Sequence, residues 1–157
     1  MNRHQDTPGV IAPPPLIFLG FLFAGWGLGH LVAEPSLGLP DLLRRSLALL
    51  GLGAGLGVEG WAAGMFRRAN TAVQPWKPST ALVTTGIYRF TRNPIYLGFA
   101  VTYLGLAVGL DSPVALVGIL PCLFIMDRFV IAREETYLEA RFGPVYLDYK
   151  KVVRRWL

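Results

Sequence analysis

Charge is what this chain has little of. Only 16% of its 157 residues are Asp, Glu, Lys or Arg, against about a quarter in soluble domains. The deficit is gathered into long uncharged runs, which exclude an ordinary water-soluble domain. Cysteine is nearly missing too. The single Cys122 stands inside an apolar run, so no intramolecular disulfide can form, and it reads as a buried thiol. Only two histidines occur, and His30 has no second metal-type residue at helical spacing, so no metal is expected. Bases outnumber acids for a net charge of +5. That excess sits beside the apolar runs, where it suits anionic lipid headgroups rather than nucleic acid. No internal repeat or low-complexity tract is present.

What is there is apolar sequence in blocks. Met1–Pro15 reads as a short flexible tail carrying Arg3 and His4 near a membrane. Its proline cluster is unlike a basic signal n-region, and Leu31-Val32-Ala33 is a poor cleavage site. Leu16–Val32 is just long enough to span. A loop with Pro35 and Pro40 follows, and Asp41 is placed to cap the next helix. The second span, Ser46–Phe66, is interrupted by Glu59. Ala69–Thr85 is a polar connector in which Trp76 and Lys77 suit an interface anchor. Ile95–Leu110 is a third, short span. Asp111-Ser112-Pro113 stops the chain and restarts it, and Val114–Ile131 forms a fourth span that Pro121 should bend. The expected fold is an all-α integral membrane protein of about four spans (16–32, 46–66, 95–110, 114–131), in one domain over residues 1–157. A C-terminal helical hairpin and a cytoplasmic C-terminal segment complete it.

Two features invite opposite readings. Gly55-Leu-Gly57-Val-Glu-Gly60 matches a G-x-G-x-x-G string, but it lies inside a membrane-length run without the strand that a dinucleotide site requires. Gly51/Gly55, Gly53/Gly57 and Gly60/Gly64 read instead as small faces for close helix packing. Glu59 is a costly acid within a span, and a functional role and a residue reaching for the interface are both open.

Chemistry concentrates in Gly86–Gly98, between the apolar regions. Asn93 reads as an N-cap and Pro94 as the first helical residue. The positive end of that helix, with Arg89 and Arg92 beside it, attracts an anion at the membrane edge. Tyr88 and Tyr96 flank it. Beyond Ile131 the helix continues to Phe142, with Ile131, Glu135, Leu138 and Phe142 on one stripe and Arg128 near the same face. Glu134 stands at the edge of the stripe. Arg133 points away, and Arg133, Glu139 and Arg141 read as solvated surface. Gly143-Pro144 ends the helix, and the basic tail Lys150–Trp156 reads as a surface-lying segment.

Arg92-Asn93-Pro94-Ile95-Tyr96-Leu97-Gly98 resembles the Arg-His-Pro-x-Tyr-x-Gly signature of the isoprenylcysteine carboxyl methyltransferase and phospholipid methyltransferase superfamily, with Asn93 in place of the histidine. Asn hydrogen-bonds but does not titrate near neutrality. Glu134-Glu135 followed by Phe142-Gly143-Pro144-Val145-Tyr146-Leu147-Asp148-Tyr149 resembles the same family's second block. The resemblance covers Trp76 to the C-terminus, the catalytic half (76–157). It implies S-adenosylmethionine as methyl donor and an integral-membrane enzyme. Cofactor contacts are then expected from Tyr88, Arg92, Asn93, Pro94, Tyr96, Gly98, Glu134, Glu135, Tyr146 and Tyr149. Arg92 suits the cofactor carboxylate, and Glu134 or Glu135 its diol or ammonium.

The acceptor implied is lipid-like or prenyl-like, methylated at the membrane edge, with carboxylate O-methylation first and phospholipid amine N-methylation as the alternative. A carboxylate needs no base and would be held by Arg128. An amine must lose a proton, to Glu59 or Glu135. A nicotinamide-dependent membrane reductase and a non-enzymatic membrane subunit are the other classes. The connector from Arg67 to Arg92 carries Arg67, Arg68, Lys77, Arg89 and Arg92 and no acid, so it and both termini are expected in the cytoplasm. Arg44 and Arg45 fall on the other side.

Overall fold

The computed structural model describes residues 7–157, so Arg3 and His4 lie outside the described residues. The described chain is all helical. Its elements are α1 (Pro14–Leu31), α2 (Asp41–Arg68), a 3₁₀ turn (Gly86–Arg89), α3 (Pro94–Gly109), α4 (Pro113–Ile125), α5 (Ala132–Phe142) and α6 (Pro144–Val152). A π-helical stretch, Met126–Ile131, joins α4 to α5, so Pro113–Phe142 is one rod. Among the described residues three helices are long and apolar enough to cross a membrane: α1, α2 and the Pro113–Phe142 rod. The shorter apolar helix is α3 with 16 residues, about 24 Å at 1.5 Å per residue. Large side chains on the outer faces, among them Leu49, Leu50, Trp61, Val117, Leu120 and Phe124, are exposed. In water that would be a severe cost; against acyl chains it is none. The chain is an integral membrane protein.

The start of α1, the end of α2, the start of α3 and the end of the apolar rod share one face of the bundle. Two clusters fill the interior. Phe18 and Leu22 of α1, Tyr103 of α3, and Ile119, Cys122 and Met126 of the rod form the larger. Ala62, Val83, Ile87 and Tyr88 form the smaller, under the motif. On the opposite face Ser112 caps α4 by accepting from Ala115 N (3.1 Å). Glu34 accepts from Ser112 Oγ (2.5 Å) and Val114 N (2.7 Å). Arg44, which a count of loop charges places on the wrong side, donates to Gly109 O at the C-terminal end of α3 (2.8 Å) and to Asp41 (2.9 Å). Asp41 is therefore the first helical residue after Pro40 and not the cap.

Close approach of α2 and α3 rests on glycine. A Cβ at Gly51 would lie 2.7 Å from Gly105 Cα, and one at Gly55 would lie 2.7 Å from Gly98 O. Gly53, Gly57, Gly60 and Gly64 have nothing within 4 Å. Of the three expected small-residue faces, only Gly51/Gly55 is an interface; the others face outward.

Gly105→Leu should therefore force α2 and α3 apart and destabilise the bundle by about 1–3 kcal/mol. Gly53→Leu, with open space beside it, should change stability by less than about 0.5 kcal/mol. Loss of helicity on titration of dodecyl sulfate into mixed micelles compares the two, and equal midpoints would remove the close-packing account.

Candidate active site

The motif is held by the tail of the chain. Thr91, Arg92 and Asn93 run alongside residues 150–155. Arg92 N donates to Arg154 O (3.0 Å), and Thr91 Oγ1 and Asn93 Nδ2 both donate to Arg155 O (3.1 and 2.9 Å). Asn93 does occupy the N-cap position of α3, but its side chain makes no cap hydrogen bond. It ties down the tail instead. Its Nδ2 is engaged by that distant carbonyl, and Oδ1, the atom that would cap, accepts from no N–H of α3.

Below that seam lies a four-membered charge network. Arg92 and Glu135 are both buried, with side chains 9% and 7% exposed, and their ion pair is 2.7 Å long. Arg92 Nη1 also donates to Lys150 O and Val153 O, each at 3.0 Å. Glu135 accepts a second pair of bonds from Arg155, Nε at 3.0 Å and Nη2 at 2.6 Å. Arg155 Nη1 meanwhile grips both oxygens of Asp127 (3.0 and 2.9 Å), and Trp156 Nε1 donates to the same carboxylate (3.2 Å). Within these four residues two carboxylates and two guanidiniums balance, and Lys150 Nζ adds a longer contact to Glu135 (3.7 Å) while pairing with Glu139 (2.5 Å). Their hydrogen bonds offset the desolvation that buried charges otherwise suffer. The carboxylate of Glu135, with that of Asp127, holds the Arg155 guanidinium above even its usual high pKa.

Beside this network is a cavity of about 250 Å³. It brings both sequence blocks together: Tyr88, Arg92, Asn93, Pro94 and Tyr96 from the first, Glu134, Glu135, Tyr146 and Tyr149 from the second. Trp76 and the connector close one side. Pro8, Pro14 and Pro15 close another, and Arg133 Nη1 donates to Gly9 O (2.7 Å). Residues 8–15 thus wall the cavity rather than trail free, and Arg133, expected to be merely solvated, fastens them. Tyr96 Oη donates to Glu134 Oε1 (2.5 Å), and Tyr149 Oη donates to Tyr88 O (2.6 Å). Burial pushes the Tyr149 phenol up to about 12 against the opposing pull of Arg92, and it raises Tyr88 and Tyr146 as well. These three hydroxyls stay neutral near pH 7.

Two expected site residues are elsewhere. Gly98 does not line the cavity. It is the crossing point of α3 on α2, where a Cβ would stand 2.6 Å from Glu59 Cγ. Arg128 is 67% exposed, over the Phe124 ring (5.9 Å) and 3.8 Å from Asp127. The expectation that it shares the face of Glu135 is corrected by the π-helical stretch. A wider turn between the two residues breaks the seven-residue repeat, so Asp127, one position earlier, takes the inward place. Asp127 and Arg155 were missed by the sequence reading. The signal was present: an acid inside an apolar run demands a cation, and the basic tail supplies one.

The site can hold a zwitterionic, aromatic small molecule. Arg92 Nε is buried without a partner, an orphan donor that an anionic oxygen would satisfy. Glu134 has no cationic partner among the described residues, so it is available to a positive group. Aromatic faces at Tyr88, Tyr149 and Trp76 complete the set.

The fold and site together define an α-helical membrane protein with a small-molecule cavity at the edge of its bundle. A phospholipid methyltransferase family model matches residues 43–145. The chain belongs to the phospholipid methyltransferase family. It is 41% identical over 63 residues to an uncharacterized protein of Haemophilus influenzae, covering 40% of this chain and all of that one. It is 39% identical over 72 residues to the protein-S-isoprenylcysteine O-methyltransferase of Dictyostelium discoideum, covering 46% of this chain and 30% of that protein. The match to the enzyme of the same name from Mus musculus is 39% over 89 residues, covering 54% and 30%. The chain thus spans under a third of the length of these two methyltransferases. No solved structure matches.

Arg92→Gln should cost about 3–5 kcal/mol, because it strips a partner from a buried carboxylate. Arg128→Ala should stay within about 0.5 kcal/mol. Thermal unfolding in detergent, followed by far-UV dichroism, ranks them, and equal losses would contradict the assignment of buried and exposed arginines.

Proposed function

We propose that this chain transfers the methyl group of S-adenosylmethionine to the head of a lipid-like acceptor at the membrane edge, as a single domain over residues 1–157. The observation that carries the reading is the meeting on one cavity of Arg92, with its orphan Nε, and Glu134, without a counter-charge among the described residues. Arg92 would receive the cofactor's carboxylate. Glu134, held by Tyr96, would face its ammonium or diol. Tyr88 and Tyr149 would stack and hydrogen-bond, and Asn93, Pro94 and Tyr146 would shape the wall. When bound, the cofactor supplies an electrophilic methyl on a sulfonium, and transfer is an in-line displacement that depends mostly on positioning. The proline segment 8–15 and Trp76 would exclude water from that displacement.

Glu135 is proposed as a positioning residue, not a base. Four hydrogen-bond and ion-pair contacts from two arginines and Lys150 stabilise its charged form. Oxygen methylation of a carboxylate is the first reading, supported by the names of the relatives; such an acceptor is already a nucleophile. Amine methylation has one observation in its favour. With Arg128 facing outward, Arg92 is the sole cation lining the cavity among the described residues, so little is left to hold an acidic head. The connector's uncompensated positive charge supports a cytoplasmic cavity and cytoplasmic termini.

Incubation of the purified protein in bilayers with methyl-labelled S-adenosylmethionine and a total lipid extract should label a chloroform-soluble product. Base treatment releases the label as methanol from an ester and leaves it on an amine. Glu134→Gln should weaken cofactor binding about tenfold or more, measured by calorimetry, with an unchanged unfolding midpoint. Absence of labelled lipid and unchanged binding in the variant would together overturn the reading.

A further inference from the structure

A second space opens beside the cofactor cavity, within the membrane-spanning part of the bundle. It is a groove of about 180 Å³. α2 packs on α3, and α1 packs on α4 and α3; α1 and α2 form the walls and α3 the floor. Leu19 and Leu22 come from α1, Phe99 and Leu106 from α3. Pro15 and Phe99 line both spaces, so the groove and the cavity adjoin.

One feature of the groove is not apolar. Glu59 of α2 lines it, and Thr102 Oγ1 of α3 donates to Glu59 Oε1 (3.0 Å). Among the described residues Thr102 is its one side-chain partner, and no cation lies within 4 Å. Tyr103, also on the lining, has its hydroxyl engaged by Ala115 O (2.7 Å). Glu59 therefore lines an otherwise apolar space with one oxygen that has no partner among the described residues. A carboxyl is not retained in a bilayer for packing. Packing does not account for it at this crossing either, where the partner residue Gly98 is reduced to a hydrogen to admit its Cγ. Glu59 lies against Gly98 and Thr102, one and two helical turns beyond Pro94, so the polar pair is about 6–12 Å deeper than the start of α3.

We propose that the Glu59–Thr102 pair is a recognition site for a hydrogen-bonding group, a hydroxyl or an amine, carried on the acyl or prenyl-like tail of the acceptor below its reacting head. The inference rests on the reading that the acceptor is lipid-like. A plain hydrocarbon tail would leave Glu59 without a second partner; a tail bearing a donor satisfies it. The occupant is thus an amphiphile functionalised along its chain, and the pair selects it from the bulk lipid.

The test is binding, independent of methyl transfer. Protein in bilayers is loaded with nitroxide-labelled stearate, and its immobilised spectrum is displaced by stearate or by stearates hydroxylated or aminated at successive chain positions. One position near the chain's head end should displace about tenfold better than stearate, a difference of the size expected for one hydrogen bond to a charged or acidic group. Glu59→Leu should abolish that preference, and Thr102→Val, which removes only the supporting hydroxyl, should weaken it. A larger preference for the amine identifies an ionised Glu59, and one for the hydroxyl a neutral one; either supports the site. Equal displacement by all chains, a preference that survives Glu59→Leu, or disulfide trapping of two copies through Leu19→Cys would overturn it. If chain preference holds while no lipid is methylated, the functional reading fails and the site stands.

Discussion

The salt-bridged pair of Arg92 and Glu135 is the constraint on which the rest of this structure depends. Each residue alone would be a buried charge costing several kcal/mol. Together they lock the start of α3 to the start of α5, segments far apart in sequence that the α3–α4 hairpin returns to one edge. Arg155 then doubles the lock by holding Glu135 and Asp127 at once. The tail is thereby part of the site. Its carbonyls at Lys150, Val153, Arg154 and Arg155 accept from Arg92, Thr91 and Asn93. Among the described residues Arg92 Nε is the buried side-chain polar atom left without a partner, and that exception is where a ligand oxygen has something to gain.

A second constraint is steric. α3 is too short to cross a full bilayer upright, yet it carries the motif at its start. It is held by backbone approach to α2 at Gly51–Gly105 and Gly55–Gly98. That crossing positions Glu59 beside Thr102 and leaves α1 and α2 standing apart as walls. Packing that fixes the motif thus also creates the lateral groove. The lipid-facing surface and the cavity beside the motif are consequences of one helix arrangement.

Much of this was legible in the residues, because membrane helices have few alternatives. The runs 16–32, 46–66, 95–110 and 114–131 became helices within a few residues, since backbone groups in hydrocarbon must be satisfied within the helix. The pairing of Gly86–Gly98 with Glu134–Tyr149 was legible from motif order. Four things were not. Arg128 was misplaced because a π-helical turn leaves no mark that a 3.6-residue period can see. Gly98 was taken for a ligand contact, while a glycine between two motif residues equally serves helix crossing. The tail reads as surface because its basic residues look alike in sequence; only the half-buried Asp127 and the buried Glu135 single out Arg155. Asn93 caps nothing because its side chain is oriented by donating Nδ2 to a carbonyl 62 residues away, a partner the local sequence does not reveal.

The central claim is that one cavity is built jointly by the motif, the second block and the tail. Hydrogen exchange of the protein in bilayers, with and without S-adenosylmethionine, tests it most directly. The account predicts that the cofactor slows exchange in residues 86–97 and in residues 134–155 at the same ligand concentration, and leaves the Glu34–Arg44 face unchanged. Protection confined to one of the two segments, or appearing at the opposite face, would contradict it.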